Sequence, residues 1–452
     1  MKFPAIKNIS LFLACILLTF ATSCKKESGA DLSGLLRTIP SSAAGVVGIQ
    51  LQKIIEDAGC TVKGNEIIPG KEVSSLLDKT SSSDQETARL IFNGSTGIKP
   101  DCAVIFIDGT RTFLTFFLYD VNKFIEAVEK DTSGSFSDEG SGVKVCENIA
   151  LKGNQAWICL SNGKSIDPEA IAGYASLSES RSFLKSDLAE TILNAKNDIS
   201  GWCMLNEMLQ NSLSRSEMSM ATIASGLLFD DAESVQFSID FKDGDMEMSG
   251  RILNDKGKPS KFLLPTEKVD LKVLQSIGGD CDMLLAFTLT PKLIDKFEKL
   301  GSVLGGSLFG DFKDTFKNID GTVGVALSNL NGDPKINGVI STKGKASDEL
   351  IGLITTGLAP VKVDGNQLRF SNGTSTGNAS VADLSEMLKG CWFGVAFDMS
   401  GDINPITGKQ IPDSMKSASV RLFPRDGSLE LIFNLKSNQP KQNILLTLLN
   451  SI

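Results

Sequence analysis

The chain has 452 residues, 41% of them hydrophobic and 22% charged, and a formal net charge of -9 at pH 7. That balance belongs to a globular protein with room for two or three cores, not to a disordered one. The acidic excess argues against nucleic acid as a partner, since phosphate binding needs clustered Lys and Arg. Histidine is absent, which excludes serine–histidine and cysteine–histidine nucleophile pairs and removes the usual imidazole ligands of zinc and haem.

In chain order, Lys2 and Lys7 make a short positive start, residues 9–21 an almost unbroken apolar run, and Ala21-Thr22-Ser23-Cys24 a small-residue cleavage site. These three parts make a secretory signal, with an apolar stretch shorter than the roughly 20 residues a membrane-spanning helix needs. A cysteine directly after the small residues is the pattern of a lipoprotein signal, although Ala21 stands where leucine is usual. Residues 1–23 are therefore expected to be removed, Cys24 to be lipidated, and residues 24–30 to act as a polar tether. Each buried acyl methylene contributes about 0.8 kcal/mol, so several chains anchor a protein without a spanning helix. Lys25, where aspartate would mark inner-membrane retention, points to the outer membrane and leaves its periplasmic or surface side open.

Of nine cysteines, Cys15 and Cys24 lie in this leader, which leaves Cys60, Cys102, Cys146, Cys159, Cys203, Cys281 and Cys391. No CxxC spacing occurs, which counts against zinc ribbons and thioredoxin-like chemistry. Cys102 in DCAVIFID and Cys391 in GCWFGVAF read as small buried hydrophobes. If VKVCENIALKGNQAWICL is one hairpin turning at Lys152-Gly153, Cys146 and Cys159 face each other as a candidate disulfide, and a one-residue slip of the turn separates them.

The chain also matches itself. LLRTIPSSAAGVVGIQL (35–51) aligns without gaps on VLQSIGGDCDMLLAFTL (273–289), and each runs into an amphipathic helix expected to end at Gly59 or Gly301. DCAVIFIDGTRTFLTFFLYDVNKFIEAVEK (101–130) follows the same strand–turn–strand–helix plan as 321–355, and GVKVCEN (142–148) answers PVKVDGN (360–366). The apolar strand around Trp202 has a counterpart around Trp392. SVQFSIDFKDGDMEMSGRIL (234–253) and SASVRLFPRDGSLELIFNLK (417–436) share an Asp-Gly turn between alternating strands, the strongest short hairpin signal. Residues 161–233 then hold extra material in the first copy, including Met204, Met208, Met218 and Met220, read as buried core.

The fold class expected from this is α+β: two internally repeated units of antiparallel sheet with helices packed on one face. The units run over 31–268 and 269–452, joined by the proline- and charge-bearing linker 254–270. The opening LLRTIPSSAAGVVGIQLQKIIEDAG behind a lipoprotein signal resembles a family of envelope lipoproteins of unassigned function from Bacteroides and related gut bacteria. The likeness extends over nearly the whole mature chain in length and order of elements. It implies a diderm envelope and carries over no catalytic residue.

Several short patterns lack the context their chemistry needs. Ser182-Phe183-Leu184-Lys185 has SxxK spacing without the companion motifs of serine–lysine acylases. Asn162-Gly163-Lys164-Ser165 ends like a phosphate loop, but Ile158 stands in place of its first glycine. The glycines of 301–310 lack GxGxxG spacing. Residues 398–404 alternate oxygen side chains as calcium loops do, without the sixth-position glycine or the distal glutamate. Asp413-Ser414-Met415 resembles a short O-glycan acceptor. No catalytic residue, cofactor or metal ligand is assigned. The expected function is a lipid-anchored, non-catalytic binding or scaffold protein with a glycan or envelope-protein partner. The alternative is a carboxylate-based glycan hydrolase, which needs two facing acids.

Overall fold

The structure, a computed structural model, describes residues 32–78, 88–132, 134–161, 165–207, 226, 228–303, 312–330, 332–374, 376–400 and 413–449. The signal, Cys24, the tether, the phosphate-loop-like segment at 162–164, and Met208, Met218 and Met220 lie outside them. So does most of 301–310 and of the calcium-like loop. The chain divides into two compact units, neither continuous in sequence: Met1–Ser212, Glu233–Met246 and Gln439–Ile452 form the first, Leu213–Ala232 and Glu247–Asn438 the second. This differs from the boundary expected at 268/269. The chain leaves the first unit just after the Asp243-Gly244 turn, and its last segment returns there because Leu446 packs into that unit's core.

The first unit is built on strands β1 (Gly45–Ile49), β2 (Ile98–Asp108), β3 (Arg111–Leu118), β4 (Val143–Cys146), β5 (Ile149–Lys152), β6 (Gln155–Cys159), β7 (Ile199–Met204) and β8 (Ser234–Lys242). Their order is β8-β7-β1-β2-β3-β6-β5-β4, antiparallel throughout. The register places Val47 between Ile105 and Gly201. The second unit uses β9 (Asp245–Leu253), β10 (Met283–Leu289), β11 (Ile319–Ser328), β12 (Lys335–Thr342), β13 (Val361–Asp364), β14 (Gln367–Ser371), β15 (Phe393–Asp398), β16 (Met415–Arg425) and β17 (Ser428–Ser437). Its order is β9-β17-β16-β15-β10-β11-β12-β14-β13. The protein is thus mixed α+β, with open antiparallel sheet and helices.

Helices cover both faces of each sheet, where one face was expected. In the first unit, α1 is Leu32–Arg37, α2 Leu51–Asp57, α3 Lys71–Leu77, α4 Val121–Asp131 and α5 Pro168–Ala175. Ile54 and Ile55 of α2, Val73 of α3 and Phe124 of α4 pack with Ala103, Leu114 and Phe116 on one face. On the other, Tyr174 of α5 meets Phe106 and Phe113 edge-on, with ring centroids 5.5 and 5.8 Å away. In the second unit, α6 is Leu271–Gln275, α7 Pro291–Val303, α8 Asp348–Gly357 and α9 Val381–Met387. Leu293, Ile294, Leu350 and Ile354 cover the face carrying Leu289 and Val323, while Leu274, Val381 and Leu384 cover the one carrying Leu284, Ala286 and Ala396. The cause is visible in the strands: CAVIF in β2 and MLLAF in β10 are continuous apolar runs, the pattern of strands buried on both sides.

Helix starts are fixed locally. Asp120 accepts from the N–H groups of Asn122 and Lys123 at the head of α4, and Asp167 does the same for Glu169 and Ala170 ahead of Pro168, each satisfying amides that have no partner inside the helix. Gly59 follows α2 with φ 86°, but α7 runs on through Gly301 to Val303. The Asp426-Gly427 turn takes positive φ at both residues, while at Asp243-Gly244 only the glycine does.

Two strand glycines lie under an aromatic ring on the neighbouring strand. Gly201 is paired with Phe237 and Gly338 with Phe370, and a Cβ on either glycine would enter the facing ring. Gly201→Val and Gly338→Val are each expected to cost about 1–3 kcal/mol through overpacking, read as a lower Tm of the purified variant. Unchanged melting would mean that the rings move aside freely.

Candidate functional site

The densest group of perturbed side chains among the described residues forms where α2 meets the starts and ends of β7 and β8. Lys53 and Asp57 stand four residues apart on α2 and so share one of its faces. Asp198 precedes β7, and its carbonyl accepts from the Gln50 amide at 2.9 Å, which fixes it against the start of the helix. Its carboxylate Oδ2 accepts from the Phe241 amide of β8 at 2.6 Å. Asp240 comes from β8 itself. Lys53 Nζ lies 3.1 Å from Asp198 Oδ1 and 2.7 Å from Asp240 Oδ1, and donates to the Lys196 carbonyl at 2.8 Å. Lys242 approaches the other oxygen of Asp240 at 3.4 Å.

Burial decides the electrostatics. Asp198 is 0% exposed and Asp57 9%, so charge on either must be held without water. Burial, reinforced by the neighbouring Asp198 charge and opposed by Lys53, pushes the Asp57 carboxyl from its ordinary 3.8 up to about 8. Burial also raises Asp198, against the pull of the Phe241 amide and Lys53. Lys53 is drawn down by burial, but its hydrogen bond to Asp240 and the two acidic charges outweigh that and hold it above its usual value. Asp57 also sits at the carboxyl end of α2, where the helix dipole disfavours an anion. At neutral pH Asp57 therefore carries a proton. Chemically this is a buried acid that keeps its proton at neutrality, beside a lysine committed to two other aspartates.

Elsewhere in the first unit, Glu66, Ile67, Ile68, Pro69, Ser74, Leu77, Asp78, Arg89, Phe92 and Asn93 line a groove of about 540 Å³. The acid cluster does not line it. Tyr174 donates to Asp108, and burial together with that bond raises its hydroxyl pKa.

The residues singled out by sequence fare differently. Cys146 and Cys159 are both free thiols. The segment makes two hairpins rather than one: a second turn at Glu147-Asn148, with Glu147 at φ 53°, sends β4 back along β5. Asn148, not Cys146, then stands opposite Cys159 and exchanges bonds with it, leaving β5 between the strands of the two cysteines. Lys185 pairs with Glu179 at 2.8 Å rather than with Ser182. Asp398 accepts from its neighbour Ser400, and no cluster of three metal-ligating side chains occurs among the described residues. The acid cluster went unnoticed in sequence. Its trace is the i,i+4 pair Lys53/Asp57 together with two aspartates, in NDIS and SIDF, beside or within apolar strands.

Two outcomes follow. Asp57 binds its proton more tightly folded than unfolded, so its contribution to stability is complete below pH 3.8 and is lost as pH rises through about 8. In urea unfolding, Asp57→Asn is expected to gain on the wild type steadily between pH 5 and about pH 8 and to gain little more above it, and parallel profiles would count against the raised carboxyl. Burial raises Cys281 and Cys391 to about 12, whereas Cys203 is only half-buried. In native protein at pH 8, iodoacetamide is expected to modify Cys203 first and the other described thiols only after denaturation, read by peptide mass spectrometry.

No helix among the described residues is long and apolar enough to cross a membrane. No family model matches the chain, and no curated protein does. Two crystal structures of TP0453, in crystal forms III and I, resemble it with TM-scores of 0.29 and 0.27 at 8% and 7% identity, over 78% of this chain and 96% and 95% of theirs. A likeness of that strength carries no inference about activity.

Proposed function

We propose that the chain is a lipid-anchored cell-envelope protein, an outer-membrane lipoprotein of the Bacteroides type, whose folded body binds or scaffolds without catalysing a reaction. One observation carries the reading: Cys24 directly follows the small residues that end an apolar leader. A short polar tether over residues 24–30 would then join the anchor to the folded body. The partner is a glycan or another envelope protein, not a nucleic acid. The same reading takes the two units as copies of one module. What supports it is that β1, β2, β3, β7 and β8 run in the order β8-β7-β1-β2-β3, and their sequence counterparts run β16-β15-β10-β11-β12.

The hydrolase alternative needs two acids about 5–10 Å apart with substrate between them. Asp57 and Asp198 are shut away from solvent, which favours the non-catalytic reading at this cluster.

Cys24→Ala is expected to abolish incorporation of an alkyne fatty acid and to move the protein from the membrane pellet to the soluble fraction. An unlabelled wild type, or an unmodified cysteine in its N-terminal peptide, would end the anchoring proposal. Pull-down from intact envelope beside a glycan array tests the binding half, and silence in both would remove it.

A further inference from the structure

We propose that the edge strand β13 is a self-docking surface, on which a second copy of this chain lays its own β13 antiparallel about a two-fold axis at Val363.

The strand is an open edge of the second unit's sheet. Val361–Asp364 pairs with β14 on one side, and no other described strand pairs with it on the other. The direction of its backbone groups follows from the hairpin. Opposed residues of an antiparallel pair alternate between those that exchange hydrogen bonds and those that do not. The Ser371 amide donates to the Pro360 carbonyl at 3.2 Å, which sets the alternation. Lys362 and Asp364, opposite Arg369 and Gln367, therefore bond inward to β14, and Val361 and Val363 turn their N–H and C=O groups outward. Apolar side chains are uncovered at the same corner. Val363 is 49% exposed, and α8, which packs against β13, leaves Leu353 and Leu358 53% and 48% exposed.

Charge selects the occupant and its register. Val361 and Val363 can meet the same residues of a second copy in three registers. Centred on Lys362, the two lysines oppose each other. Centred on Val361, Lys362 faces Pro360 and Val363 falls beyond the partner strand. Centred on Val363, that residue exchanges both hydrogen bonds with its own copy, and Lys362 and Asp364 of each strand face Asp364 and Lys362 of the other. Those two ion pairs occupy positions that exchange no hydrogen bonds, where opposed side chains come closest. Within one copy Lys362 stands opposite Arg369, and like charges so placed destabilise a sheet; a second copy brings Asp364 to it. Asp364 reaches Arg369 Nε at 3.5 Å and is still 63% exposed. A lysine on an edge strand ordinarily keeps other strands away. Here an aspartate two residues on turns that protection into a choice of one register, and the match of the strand with itself makes the contact isologous.

The test is sedimentation of the full chain in detergent over a range of concentrations. Each side offers one strand of four residues, so the wild type is expected to form a weak, reversible dimer. Lys362→Glu sets acid against Asp364 on both sides of the axis and is expected to raise the dissociation constant about tenfold. Adding Asp364→Lys is expected to restore it. Separately, Val363→Cys is expected to give a disulfide-linked dimer under mild oxidation. Val361→Cys, too far from its own copy to bridge, is expected to show only the background of the native thiols. A monomer at every concentration overturns the proposal. So does a dimer indifferent to Lys362→Glu, which would use another face, and so does equal cross-linking at both positions. Should the charge variants not fold, the two cysteine variants decide.

Discussion

In each unit a central strand is hydrogen-bonded on both edges and covered on both faces. In the first unit β1 lies between β2 and β7, and in the second β10 lies between β11 and β15. Such strands have no position at which a charged side chain could reach water, so their sequences are forced to be apolar on both parities. Each buried Leu, Ile or Phe contributes about 1.5–3 kcal/mol, and Val46, Phe106, Leu284 and Ala286 are among the wholly buried ones. Small residues then become necessary where helices approach. A Cβ on Gly48 would collide with Ile192, and one on Gly324 with Leu274.

Polar groups in this interior cost least when they are fully paired, and the first unit shows two ways of holding them. Gln155 donates to Thr38 and Thr115, and Thr115 donates to the Ala156 carbonyl, all within 2.8–2.9 Å. That network is neutral and closed, and it costs little to keep. The group around Lys53 has one negative charge too many for its cations in the dry part of the site. It resolves the excess by retaining a proton, as buried carboxyls do when no partner is at hand.

Much of the fold was legible in the residues. Asp426-Gly427 between alternating strands gave its hairpin, and Gly59 marked the end of α2. The non-alternating runs in β2 and β10 already contained the information that helices lie on both faces, which the expectation of a one-sided sheet passed over. The Cys146–Cys159 pairing failed for a local reason: Glu147 adopts a left-handed conformation that glycine or asparagine would have advertised. The limits of the units were illegible because a leucine near residue 446 carries no mark of which core it will fill. The acid cluster was hidden for the same cause, since Asp57, Asp198 and Asp240 are separated in sequence by up to 183 positions and only tertiary packing joins them.

The placement of the helix Ile444–Leu449 has a consequence for how the chain is made. Leu446 fills the same core as Ile55 and Phe116, and Asn443 binds the Phe241 carbonyl. The unit that emerges first from the ribosome therefore lacks part of its interior until nearly all the rest has been synthesised. Contacts of such long sequence separation form slowly. A ribosome stalled after residue 438 would thus leave the earlier-made unit incomplete while every segment of the later one had already been translated.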